Sequence, residues 1–167
     1  MKITILGLPG SGKSTLAKKI SKQENIPYIN IDGFWHEGGG GYNSRTTPDP
    51  EKTHAYVQEK VLESIKQDSW VSDGFYPLIQ VDVSEQAGTI IFLDISLWKR
   101  LINHVKRIFT GSKSEMTLWG NIAFFFEMIK MGSSGTARVY KFLENYKEKV
   151  VILKSRKESN EYIRKLN

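Results

Sequence analysis

Residues 7–15 read GLPGSGKST, and they directly follow the apolar, β-branched run from Lys2 to Leu6. A short run of this kind that ends at a glycine predicts a buried β-strand. Leu16, Ala17 and Ile20 then recur at helical spacing, which predicts a helix over residues 14–23. The stretch is therefore the turn between a strand and a helix.

This turn matches the pattern G-x-x-x-x-G-K-[S/T] of a loop that binds nucleotide phosphates. Its glycines let successive N–H groups surround an anion at the start of a helix. Lys13 is expected to reach the β- and γ-phosphates, Ser14 to ligate Mg²⁺, and Thr15 to support the α-phosphate. A turn that only capped a helix would leave the lysine and serine unexplained. The residues predicted to bind the nucleotide are Gly7, Pro9, Gly10, Ser11, Gly12, Lys13, Ser14 and Thr15.

Four more apolar runs, at 27–31, 70–73, 89–94 and 150–153, predict further strands, and amphipathic segments lie between them. This alternation predicts an α/β three-layer sandwich with a five-stranded parallel sheet. The length of 167 residues fits one domain. Residues 33–50, rich in Gly, Ser, Thr and Pro, are expected to form a loop. Ligands of such sheets bind at the carboxyl ends of the strands.

Two aspartates follow predicted strands and are candidate site residues. Asp73, in WVSDGFY, is placed to hold the water shell of Mg²⁺, although an ordinary turn aspartate is the alternative. Asp32 is expected at the end of the second strand, where it would orient or deprotonate an acceptor hydroxyl. Its alternative is a turn or helix cap. Asp94 is interpreted as a strand-end cap.

Residues 97–138 are predicted to include a basic helix and a lid. Arg100, His104 and Arg107 share one helical face, so Arg100 and Arg107 are candidates to close on the transferring phosphoryl group. A solvated basic face is the alternative. Arg138 is a further phosphate candidate, and Arg156 follows the last strand, where it would line the nucleotide base. The apolar positions of residues 118–129 are expected in the core: Leu118, Ile122, Phe125, Phe126 and Ile129.

The composition of the chain limits which other classes of protein it can belong to. The chain has no cysteine, which excludes disulfides and thiolate zinc sites. It shows neither a signal-peptide core nor an apolar run of about 20 residues, so we expect a cytoplasmic protein without membrane contact. Residues 1–96 carry 9 basic and 12 acidic side chains, and residues 97–167 carry 15 basic and 6 acidic. The basic half suits phosphates of a nucleotide or of nucleic acid, or is simply a solvated lysine-rich surface.

With these motifs the chain resembles the adenylate-kinase-like branch of the P-loop kinases, and within it the small bacterial DNA topology modulation proteins. The resemblance covers nearly the whole chain. It is carried by GLPGSGKSTLAKKI, the Asp32 strand end, WVSDGFY, TIIFLDISLWKRLINHVKR and KVVILKSRKE. It implies a sheet of order 2-3-1-4-5, ATP with Mg²⁺, and a lid between the fourth and fifth strands. Two departures stand against adenylate kinase activity itself: DGFYPLIQ lacks an acceptor-binding arginine, and His104 replaces a second lid arginine.

Two functions follow as hypotheses. The first is an ATP-dependent kinase for a small nucleoside-like, nucleotide-like or hydroxy-metabolite acceptor, with a pocket under Phe34 to Tyr42. Lys13, Asp32, Arg107, Arg100 and Arg138 are its predicted catalytic residues, and Ser14 and Asp73 its predicted metal ligands. The alternative is a nucleotide-binding regulator of DNA topology with little turnover. No nucleic-acid-binding motif is recognised in the sequence.

Overall fold

Five strands form one sheet in the order β2-β3-β1-β4-β5. The computed structural model describes residues 1–41, 46–109 and 118–166. The strands are β1 (Lys2–Gly7), β2 (Tyr28–Asn30), β3 (Trp70–Asp73), β4 (Thr89–Leu93) and β5 (Val150–Leu153). Both β1 and β2 pair with β3 in parallel, with Ile5 and Asn30 opposite Asp73. The predicted α/β class and strand order are confirmed.

The helices follow the strands in sequence, as a parallel sheet requires. They are α1 (Lys13–Glu24), α2 (Ile31–Glu37), α3 (Pro50–Ser64), α4 (Gln80–Gln86), α5 (Leu97–Phe109), α6 (Leu118–Leu143) and α7 (Arg156–Arg164), with a 3₁₀ turn at Glu144–Lys149. Among the described residues, no helix is long and apolar enough to cross a membrane.

The chain divides into two compact units. The first comprises Met1–Leu6 and Ser14–Ile91, and the second comprises Gly7–Lys13 and Phe92–Asn167. Both units contain buried apolar side chains, and a fully buried aliphatic side chain contributes about 1.5–3 kcal/mol to folding. Core residues of the first unit include Ile3, Ile5, Leu16, Ile20, Val57, Val61, Ile65 and Trp70. Those of the second unit include Phe92, Leu93, Leu101, Met128, Val139 and Leu143.

The second strand ends earlier than the sequence predicted, and a helix starts at Ile31 and continues into the first part of the predicted loop. Asn30 ends β2 and caps α2, because its Oδ1 accepts a hydrogen bond of 3.0 Å from the Gly33 N–H. The prediction that Asp32 ends a strand is therefore wrong: it lies in the first turn of α2. The short helix α4 was not predicted either. The side chain of Tyr42 and the rest of residues 42–45 lie outside the described residues.

The predicted core face of residues 118–129 is also wrong in part. Phe126 is 65% exposed, and Ile122 and Ile129 are exposed as well, whereas Met128 is fully buried. The helical period is correct, but the buried side of α6 is the one that carries Met128. Helix α6 is kinked at Gly132, which has φ −8° and ψ −108°. Residues 110–117 of the predicted lid lie outside the described part of the chain.

A capping box starts the last helix. Ser155 Oγ accepts from the Glu158 N–H at 3.1 Å, and the Glu158 carboxylate accepts from Ser155 Oγ at 2.9 Å and from the Lys154 N–H at 2.8 Å. The Lys154 N–H, and then Ser155, lower the pKa of Glu158 below its ordinary value. The ionised carboxylate is therefore stabilised in the folded chain, and protonation removes this stabilisation.

We expect Glu158→Gln to reduce the free energy of unfolding at pH 7. The difference from the parent chain should shrink as the pH falls below the ordinary pKa of glutamate and through the lowered folded pKa. Urea unfolding at pH 7 and at pH 3 measures both values. Glu161→Gln, one turn later on α7, removes only an exposed pair with Lys157 and serves as the control. A difference that stayed constant with pH would contradict this role of Glu158.

Candidate functional site

The turn of residues 7–13 bends tightly because glycines occupy its positions that are crowded or have left-handed backbone. Gly10 and Gly12 have φ of +78° and +93°, in the left-handed region. A Cβ atom on Gly7 would lie 2.7 Å from Ser11 Oγ. The Ser11 N–H donates to the Leu8 carbonyl at 3.1 Å and closes the turn. The chain then enters α1 at Lys13, so the turn opens at a helix N-terminus.

One polar atom of this turn is left without a protein partner. Ser11 Oγ is buried and has no hydrogen-bond partner among the described residues. An unsatisfied buried hydroxyl costs about 1–3 kcal/mol, and a bound ligand relieves that cost. A phosphate group at the turn is an acceptor for this hydroxyl, so the residues present fit a nucleotide phosphate.

Helix α5 holds the turn in place through two side chains. Asn103 Nδ2 donates to the Gly10 carbonyl at 2.9 Å. Arg100 donates to the carbonyl of Ile95 at 3.1 Å through Nε and to the carbonyl of Pro9 at 3.4 Å through Nη1. Arg100 is only 2% exposed, and this burial lowers its pKa, although Asp94 acts in the opposite direction. Arginine is effectively always protonated in proteins and carries only donors, so this guanidinium pairs with backbone carbonyls.

The position of Arg100 does not fit the predicted role of closing on the transferring phosphoryl group, which we call a clamp. A clamp residue must reach the transferring group, whereas this guanidinium is buried and bonded to backbone carbonyls of its own unit. Arg100 therefore supports the turn. Asn103 was not predicted as a site residue. It lies one helical turn after Arg100, and that spacing was the only signal in the sequence.

The metal-binding pair predicted from the sequence lies together in the first unit. Ser14 Oγ donates to Asp73 Oδ2 at 2.5 Å. The other oxygen, Asp73 Oδ1, accepts from the hydroxyl of Tyr28 at 2.6 Å. Asp73 is fully buried at the end of β3, so both carboxylate oxygens are fixed by hydroxyl groups. Burial and then Asp73 itself raise the pKa of Tyr28, which keeps its phenol protonated as a donor.

This pair fits Mg²⁺, which proteins bind through one or two carboxylates together with substrate phosphates. No group of three or more His, Cys, Asp or Glu side chains among the described residues forms a metal cage of its own. Tyr28 was missed from the sequence, although it starts β2, the strand that pairs with β3.

Asp32 approaches the chain that follows β3. A Cβ atom on Gly74 would lie 3.2 Å from Asp32 Oδ1 and 3.0 Å from the Ile31 Cβ, and Gly74 itself has φ +119°. Glycine at this position lets the turn after Asp73 pass close to the Asp32 carboxylate. Asp32 is exposed at the first turn of α2.

The remaining predicted cations are distributed over the second unit. Arg107 is exposed on α5, with Nη2 3.4 Å from His104 Nδ1, and the buried His104 ring lies 5.0 Å from the ring of Phe124. Arg138 is exposed on α6, and Arg156 is exposed at the start of α7. Their contact with a nucleotide stays a prediction.

No family model matches the chain. The chain is 27% identical over 125 residues to an adenylate kinase of Listeria monocytogenes serotype 4a (strain HCC23). That match covers 60% of this chain and 58% of the Listeria protein. The chain is also 28% identical over 116 residues to an adenylate kinase of Clostridium beijerinckii. That match covers 57% of this chain and 53% of the Clostridium protein. The chain thus spans less than two thirds of the length of these relatives.

A crystal structure of shikimate kinase from Bacteroides thetaiotaomicron matches with a TM-score of 0.58 at 17% sequence identity. The match covers 99% of this chain and 95% of that chain. At this identity the match bears on the fold alone. The five-stranded sheet of order 2-3-1-4-5 with flanking helices is the P-loop kinase fold.

Proposed function

We propose that the chain is an ATP-dependent phosphotransferase that moves the γ-phosphoryl group to a hydroxyl of a small molecule. The observation that carries this proposal is the hydrogen bond of 2.5 Å between Ser14 and Asp73, the two side chains suited to Mg²⁺. The buried hydroxyl of Ser11 and the similarity to adenylate kinases support it. A lid within residues 97–138 stays a prediction, and Arg100 and Asn103, near the start of that range, support the turn.

Each residue has a role in this reaction. Mg²⁺, when bound, neutralises phosphate charge and orients the phosphates. Ser14 ligates the ion, Asp73 holds its water shell, Lys13 contacts the β- and γ-phosphates, and Thr15 supports the α-phosphate. Arg107 and Arg138 offset the charge of the transferring group.

The carboxylate of Asp32 receives the proton of the acceptor hydroxyl. The hydroxyl oxygen then forms the new bond to the γ-phosphorus, the bond between that phosphorus and the bridging oxygen breaks, and ADP leaves. Catalysis of this kind depends on position and electrostatics more than on a strong nucleophile.

The test is transfer from labelled Mg-ATP to a panel of nucleosides, nucleoside monophosphates and small hydroxy metabolites. A labelled product that disappears in Lys13→Ala supports the proposal and identifies the acceptor. ATP binding without product across the panel contradicts it. The resemblance to DNA topology modulation proteins stays a prediction, and its test is DNA binding that weakens steeply with salt.

Tyr28→Phe is expected to weaken the metal site. The variant removes the donor to Asp73 Oδ1 and leaves one buried carboxylate oxygen without its partner, which costs about 1–3 kcal/mol. The Mg²⁺ concentration for half-maximal ADP binding should rise several-fold, and calorimetry at graded Mg²⁺ measures it. Tyr56→Phe, which removes an exposed 3.5 Å contact with Glu37, is the control. Equal Mg²⁺ dependence in the two variants would exclude the positioning role of Tyr28.

A further inference from the structure

Three aromatic side chains from separate elements of the first unit lie together. Trp35 is on α2, His54 is on α3, and Tyr76 follows β3. The ring centroids of Trp35 and His54 are 5.2 Å apart, those of His54 and Tyr76 are 5.5 Å apart, and those of Trp35 and Tyr76 are 6.1 Å apart. All three rings are half-buried. We call these three residues the aromatic cluster.

The polar edges of the aromatic cluster already have partners within the chain. His54 Nδ1 is hydrogen-bonded to the hydroxyl of Tyr76, and Trp35 Nε1 donates to the Gly41 carbonyl at 2.8 Å. A side chain at Gly40 would collide with Trp35, so the glycine loop packs directly against the indole. The cluster is therefore fixed in place, and it offers ring surface to a ligand in preference to hydrogen-bonding groups.

The aromatic cluster lies beside the carboxylate proposed to receive the acceptor proton. Trp35 is three residues after Asp32 on α2, so the two side chains lie about one turn apart on neighbouring parts of the helix surface. Tyr76 is two residues after Gly74, whose backbone approaches Asp32. A molecule stacked on the cluster would thus present a hydroxyl near Asp32.

The charge of this part of the chain disfavours an anionic acceptor. Residues 31–91 carry ten acidic and four basic side chains, and their only arginine, Arg45, lies outside the described residues. Proteins recognise phosphates and carboxylates mainly through arginine, lysine and helix N-termini. The N-terminal turns of α2 and α3 instead carry Asp32 and Glu51, and Lys60 lies 3.9 Å from Glu63.

We propose that the acceptor is an uncharged compound with a flat ring and a free hydroxyl, of the nucleoside class, and that its phosphorylated counterpart is rejected. This inference rests on the proposed phosphotransferase function. Stacking on Trp35 and Tyr76 supplies affinity, and the acidic surroundings supply discrimination against a phosphate group. The γ-phosphoryl group of ATP then goes to the acceptor hydroxyl, whose proton goes to Asp32.

The test is calorimetric binding of adenosine, guanosine, cytidine and thymidine, and of their 5′-monophosphates, to the full chain loaded with Mg²⁺ and a non-hydrolysable ATP analogue. At least one nucleoside should bind about ten-fold more tightly than its monophosphate. Trp35→Leu should weaken that binding by about ten-fold, as expected for a lost stacking contact. Trp35→Phe, which retains a ring, should restore most of it. Binding of the ATP analogue serves as the fold control for both variants.

Three results overturn the assignment: no nucleoside binds, a monophosphate binds as tightly as its nucleoside, or Trp35→Leu binds like the parent chain. Transfer to a monophosphate would exclude this acceptor class and leave the phosphotransferase function standing. Nucleoside binding that depends on Trp35, without transfer to any panel member, would support the ring-binding site and contradict the phosphotransferase function.

Discussion

Lys13→Ala is expected to lower kcat/KM for phosphoryl transfer by about a hundred-fold or more. Lys13 is the first residue of α1, directly after the left-handed Gly12, and in its proposed role it contacts the β- and γ-phosphates. Negative charge accumulates on the transferring group and on the leaving ADP, so the loss of this cation acts on the transition state. Loss of one preorganised stabilising group costs about 10²–10³ in rate, or roughly 2.7–4 kcal/mol.

The measurement is the initial rate of labelled transfer to the acceptor found in the panel, at saturating and limiting ATP. Lys22→Ala is the matched control, because Lys22 is an exposed lysine in the last turn of the same helix. It should retain the rate of the parent chain. Retention of more than about a tenth of the activity in Lys13→Ala would contradict the proposed contact with the phosphates.

The fold could be predicted because its signals are local. Runs such as Thr89–Leu93 are nearly all apolar, as expected for strands covered on both faces, and a glycine or aspartate ends them sharply. Alternation with helices then leaves a parallel sheet as the consistent arrangement. The strand order came from the resemblance to a family and is confirmed by the structure.

Helix α2 escaped prediction because it is short and contains a glycine in its first turns. Its sequence, IDGFWHE, shows no apolar stripe, and the capping bond from Gly33 to Asn30 becomes visible only in the structure. Asp32 was therefore predicted at the end of a strand, whereas the structure has it in the first turn of a helix. The exposed face of α6 has a related cause: spacing gives the period of a helix, but only tertiary packing decides which face is buried.

The candidate site was predictable where a motif specifies it. The spacing of the glycines, Lys13 and Ser14 identified the turn, and the end of β3 identified Asp73, which the structure places 2.5 Å from Ser14. The partners of these groups are separated from them by long stretches of sequence. Tyr28 is 45 residues from Asp73, and Asn103 is 93 residues from Gly10. No local pattern encodes such contacts, so these residues emerged only from the structure.

Gly10→Ala is expected to lower the free energy of unfolding by about 2–4 kcal/mol, from left-handed strain and overpacking together. Gly10 has φ +78°, and the added Cβ would lie 2.7 Å from the backbone carbonyl oxygen of Arg100 and 3.0 Å from Met128 Cε. Because the nearest atom belongs to the backbone of α5, it cannot move aside as a flexible side chain would. The hydrogen bond from Asn103 to the Gly10 carbonyl holds the turn against this same helix.

Gly12→Ala separates the stability loss caused by left-handed strain from the loss caused by overpacking. Gly12 has φ +93°, yet a Cβ atom there would meet no atom within 4 Å, so only the conformational cost of about 1–2 kcal/mol remains. Urea unfolding of both variants measures the difference, which equals the cost of the collision with α5. In Gly10→Ala the turn must shift away from α5, and this shift also changes the geometry in which the turn would bind phosphate. We therefore expect Gly10→Ala to weaken ADP binding by more than the loss in free energy of unfolding accounts for. Equal losses of stability in the two variants would show that α5 does not constrain the turn at Gly10.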